Sequence, residues 1–154
     1  MSDHTDLRGA LAQYFSALQK LEPYSIKTLA DYAEYAFEAA LGGKRVGRNG
    51  KGYDLIVPRL GRVQVKSRQL PSDGRIEERL HLSTCSAGSC DFLAAIIFNA
   101  DFSVKKATVV PFLAVFDFMQ RHVDPQKKIR FDLIAALPGA GDVTSDVRRA
   151  VERW

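Results

Sequence analysis

Asp54, Gln64 and Lys66 are the residues of this chain whose types and spacing could do chemistry together. Gly52-Tyr53-Asp54-Leu55-Ile56-Val57 and Arg62-Val63-Gln64-Val65-Lys66-Ser67-Arg68 read as two strands, and Pro58-Arg59-Leu60-Gly61 between them carries turn chemistry. Side chains alternate along a strand, so Gln64, Lys66 and Arg68 are expected on one face, with Val63 and Val65 turned into a core. If the hairpin closes, Asp54 lies beside Gln64 and Lys66. A carboxylate, an oxygen-donating amide and an ammonium at one spot suit a divalent cation working on a phosphodiester.

The elements that would position these groups are legible upstream. Leu29, Tyr32, Ala33, Ala36, Phe37, Ala40 and Leu41 recur as one stripe of an amphipathic helix. Glu34 falls at the edge of that stripe and Glu38 almost opposite it, where side chains are normally solvated. A carboxylate serving the strands must reach them without being entombed, so Glu34 is the better candidate. Gly42-Gly43 can end the helix in left-handed geometry, Lys44-Arg45-Val46 begins a short strand, and residues 47–52 form a loop leading to Asp54.

These residues, in this order, resemble the PD-(D/E)XK nuclease superfamily, in which an Asp on one strand and Glu-x-Lys or Gln-x-Lys on the next form the active site. The Gln-Val-Lys form looks most like Mrr-type restriction endonucleases, and Val-Lys-Ser-Arg is similar to the ending seen in archaeal Holliday-junction resolvases. The resemblance covers roughly residues 28–111. It implies a three-layer α/β/α, restriction-endonuclease-like fold with a central mixed sheet. It also implies catalytic roles for Glu34, Asp54, Gln64 and Lys66, with Asp54, Gln64 and Glu34 holding Mg2+ (or Mn2+). Lys66 would orient or help deprotonate the attacking water. Gln64 stands where the commonest form of the motif has Glu; it donates an oxygen without charge, so it should hold a cation more weakly.

Charge distribution points to a nucleic-acid partner. Residues 42–79 carry ten basic and four acidic side chains, hence +6, while the whole chain is only +4. Lys44, Arg45, Arg48, Lys51 and Arg68 are the expected phosphate contacts, DNA the expected partner, and RNA open because the backbone chemistry is shared. A homodimer is a further open expectation. The alternative class is a catalytically silent module of the same fold that holds nucleic acid or protein. His81 could act as a general acid or phosphate contact, or merely pack at the surface. Asp91 and Asp101 read as structural, and Tyr32, Tyr35 and Phe37 as core.

The remaining chain reads as one domain of 154 residues with no linker or repeat. Leu7, Leu11, Tyr14, Phe15 and Leu18 share one face of a first helix, which Pro23 ends, and Ser25 is the expected N-cap of the next. Asp91 to Phe98 is expected to hold a central buried strand, Val104 to Val110 another strand, and Pro111 to Arg121 a helix. Ile129 to Leu137 is expected as strand or extended chain, and Thr144 or Ser145 as cap of a last helix, Asp146 to Arg153. Cys85 and Cys90, with no third Cys in the chain, suit reduced thiols better than zinc. No apolar run reaches the roughly 20 residues a bilayer span needs, and the polar N-terminus lacks signal-peptide character, so the expectation is a cytoplasmic protein without a membrane partner.

Overall fold

The computed structural model describes residues 4–47, 52–74, 77–82, 86–122 and 125–153. Arg48, Lys51, Arg75 and Cys85 lie outside them, so those expectations have no structural counterpart. The helices are α1 (His4–Leu21), α2 (Leu29–Leu41), α3 (Phe112–Arg121), α4 (Phe131–Ala135) and α5 (Thr144–Val151). The strands are β1 (Lys44–Arg45), β2 (Leu55–Val57), β3 (Gly61–Gln69), β4 (Arg79–His81), β5 (Phe92–Phe98), β6 (Val104–Pro111), β7 (Lys128–Arg130) and β8 (Gly141–Asp142). None of the described helices is long and apolar enough to cross a membrane.

Six strands form one mixed sheet in the order β1-β2-β3-β5-β6-β8. β3 and β5 run parallel at its centre and the other neighbours are antiparallel. The sheet is covered on both faces, which makes the architecture three-layered α/β/α. Ala33, Ala36 and Phe37 of α2 and Val147 of α5 pack on Val63, Val65, Ala94 and Ile96. Phe112 and Val115 of α3 and Phe131 and Ile134 of α4 pack on Leu93, Ala95 and Ile97, together with Leu80 and Leu82. β5 is therefore apolar on both faces, and each of its larger side chains contributes about 1.5–3 kcal/mol by leaving water.

The hairpin closes where Leu60 N–H donates to the Val57 carbonyl at 3.0 Å. Gly61 stands there at φ 80°, and a Cβ on it would meet the Asp91 carboxylate at 2.6 Å. That carboxylate accepts from the Arg62 backbone N–H at 2.8 Å and from the Arg62 guanidinium, tying the hairpin to the start of β5. Asp91 is thus structural, and Asp101 holds its turn by accepting from Ser103.

Several expectations are corrected. The N-cap of α2 is Thr28, in a reciprocal capping box with Asp31, whereas Ser25 sits at φ 54° and ends a 3-10 turn. An N-cap needs extended backbone, which Ser25 lacks. Residues 129–137 split into β7 and α4, because β4 needed an antiparallel partner and found it in Lys128–Arg130. The last helix starts at Thr144, whose hydroxyl bonds to Ala107 across the sheet edge rather than capping.

Candidate functional site

Asp54 lies one residue before β2, yet its backbone already belongs to the ladder. Its N–H donates to the Val63 carbonyl at 2.8 Å, and its carbonyl accepts from Val46 N–H at 3.0 Å. Leu55 pairs with Val63, so the register carries Asp54 to the position opposite Gln64. There the Asp54 carboxylate accepts from the Gln64 amide at 2.6 Å and from the Val65 backbone N–H at 2.8 Å. Burial pushes the Asp54 carboxyl above its ordinary range, while the Val65 N–H, the Lys66 ammonium and the Gln64 amide pull it back. The hairpin thus brings Asp54, Gln64 and Lys66 together.

Glu34, on α2, lies close enough to Asp54 to feel its charge. It is half-buried, and its carboxyl is pushed up to about 7 by burial first, then by the negative charges of Asp54 and Asp31, against the pull of Arg45. The negative charge of Asp54 thus disfavours ionisation of Glu34. A half-buried carboxyl shifted upward beside a second carboxylate is a familiar arrangement at functional sites.

Glu38 has a different occupation. Its two oxygens accept from the backbone N–H and Nε of Arg45, both at 3.0 Å, across the Gly42 helix end. The Arg45 guanidinium also donates to the Tyr24 carbonyl at 2.7 Å and lies over the Tyr35 ring. Glu38 is half-buried rather than solvated, and Arg45 is a structural clamp rather than a free phosphate contact. Arg62 and Arg79 are likewise paired, with Asp91 and Glu77. The +6 of the segment therefore overstates the charge offered to a ligand. Lys44 remains exposed on β1.

Gln64, Lys66 and Arg68 share one face of β3, opposite Leu93, Ala95 and Ile97 of β5. That face is the floor of the second core, so Gln64 is only 8% exposed. Further along, Arg68 donates to the Arg79 carbonyl at 3.4 Å, and its buried Nε has no hydrogen-bond partner among the described residues. His81 is exposed on β4 opposite Lys128, outside the groups that shift Glu34 or Asp54. Cys90 is buried and takes part in no disulfide.

Sequence reasoning missed the Val65 N–H as a partner of Asp54 and Arg45 as the partner of Glu38. The first carries no residue-type signal. The second was findable, since a left-handed glycine turn folds the chain back and brings the acid of the last helical turn to the strand that follows.

The donor set is two carboxylates and one amide; among the described residues no group of three or more His, Cys, Asp or Glu could hold a metal ion. That set fits a hard, oxygen-seeking cation that retains water, and fits zinc poorly. The Gln64 amide turns its nitrogen to Asp54, so a half-turn of the amide about its last torsion would offer the oxygen instead. No model of a known protein family matches the chain, and no curated protein matches it either.

Proposed function

We propose that the protein is a metal-dependent DNA phosphodiesterase of the PD-(D/E)XK kind, acting in the cytoplasm. The observation that carries this reading is the Asp54 carboxylate held by Gln64 and the Val65 N–H, with the Glu34 carboxyl on α2 pushed up to about 7 by burial and by the Asp54 charge. A fold gains no stability from such a pair, whereas an ion of two positive charges does. Asp54, Glu34 and the oxygen of Gln64 would hold Mg2+ or Mn2+, which when bound polarises the phosphate and acidifies water. Lys66, on the same face as Gln64, offsets negative charge building on the phosphate. Val65 N–H fixes the Asp54 carboxylate in position. Glu34 would have to give up its proton to hold the ion, so metal uptake near neutrality should release protons. Lys44 and Arg68 would anchor phosphates on either side, and RNA offers the same backbone chemistry.

A second reading rests on the 2.6 Å bond from the Gln64 amide to Asp54. It satisfies the carboxylate internally, as in a silent module that binds nucleic acid or protein without cutting. The discriminating experiment incubates wild-type protein and Asp54→Asn with plasmid, branched and single-stranded DNA and Mg2+ or Mn2+. Asn keeps an acceptor for the Val65 N–H, whereas Ala would leave that buried donor unpaired at about 1–3 kcal/mol. Cleavage by the wild type, with a drop of about 100-fold or more in Asp54→Asn, is expected. Equal cleavage by both proteins removes Asp54 from the site. DNA binding without cleavage by either favours the module.

A further inference from the structure

We propose that α1 is the interface of a homodimer, its apolar seam packed against the α1 of a second copy of this chain. Leu7, Leu11, Tyr14, Leu18 and Leu21 are separated by four, three, four and three residues, the spacing of a two-stranded coiled-coil seam. In a single chain this face would be expected to lie on the core. Instead, among the described residues, none of α1 belongs to either core. Leu7, Leu11, Tyr14, Phe15 and Leu21, with Phe102 nearby, are each between 37% and 59% exposed. Beside the seam an open apolar groove of about 380 Å³ is lined by Tyr14, Leu18, Leu21, Leu29, Tyr32 and Phe102.

The area decides between a bare helix and a covered one. Taking about 200 Å² for each large apolar side chain, six that are half exposed leave roughly 600 Å² in water, the upper end of what monomers tolerate. Two copies covering each other would remove about 1,200 Å², where specific interfaces begin. The other faces of α1 favour a second copy over a lipid surface. Gln13, Ser16 and Gln19 lie away from the seam, and Arg8 and Lys20 are the helix's only cations. A membrane-lying helix carries a Lys/Arg-rich polar face. Ala10 and Ala17 flank the seam and let a partner helix approach closely.

The test is sedimentation equilibrium of the full chain up to about 100 μM, a concentration that populates any dimer of micromolar affinity. The expected mass is twice the 17.1 kDa of one chain. Leu11→Glu with Phe15→Glu changes two exposed positions, so circular dichroism should be unchanged while the dissociation constant rises about 100-fold or more. A wild type of single-chain mass overturns the proposal, and so does a double variant that stays dimeric. If that monomer binds vesicles of phosphatidylserine and phosphatidylcholine, the seam serves a lipid surface; if it does not, another protein covers it. Asp54→Asn should dimerise like the wild type, so loss of the dimer and loss of cleavage are separate results.

Discussion

Glu34→Gln in the metal-free protein isolates the electrostatic cost of the candidate site. The Glu34 carboxyl rises from 4.5 in the open chain to about 7 in the fold. The folded state therefore prefers the protonated form. The stability tied to that proton is fully present below pH 4.5 and is lost as pH rises through about 7. Each pH unit of displacement corresponds to about 1.36 kcal/mol, so a dry site would lose roughly 3 kcal/mol. Glu34 is half-buried, and water screens its neighbours, which reduces the expected effect to about 1–2 kcal/mol. Glutamine keeps the shape and cannot ionise. Urea unfolding at about pH 8 should show Glu34→Gln more stable than wild type by that amount, with the gap closing toward the acid end of the range. A bound divalent cation should narrow the gap from the other side, because only the wild type offers it a second carboxylate. A gap of equal size at both pH values, or a variant less stable at the higher pH, would refute the reasoning.

Two further substitutions separate the neighbouring groups. Glu38→Ala leaves the Arg45 backbone N–H and Nε without their acceptor and should cost about 1–3 kcal/mol in urea unfolding. The Mg2+ concentration for half-maximal cleavage should not move; a large rise in it would transfer the ligand role from Glu34 to Glu38. Gln64→Glu replaces a donor lying 2.6 Å from Asp54 with a like charge. The metal-free protein should melt earlier at neutral pH, and less Mg2+ should suffice both to restore the melt and to support cleavage. An unchanged metal requirement would mean that Gln64 does not touch the ion.

Much of the frame was legible because it is local. The hairpin follows from alternating Val63 and Val65 beside a Pro-to-Gly turn, α2 from a 3.6-residue stripe, and β5 from an uninterrupted apolar run. Helix geometry set Glu34 apart from Glu38 in the sequence; in the fold Glu34 feels the charge of Asp54, while Glu38 binds Arg45. Other features depended on distant partners. Residues 129–137 are too short for periodicity to distinguish strand from helix, and the pairing of Lys128–Arg130 with β4 settled it. The face of Gln64 and Lys66 became the floor of a core only when β3 took β5 as its parallel neighbour and α3 and α4 closed over it. Arg45 changed from a candidate phosphate contact into a clamp because the chain reverses at Gly42 and delivers it to Glu38. The α1 stripe was visible in sequence, but only packing could leave it bare. Side-chain type and local spacing determine which face is apolar and where the chain turns. Long-range pairing decides which charges are neutralised and which surfaces remain in water, because those depend on residues far away in sequence.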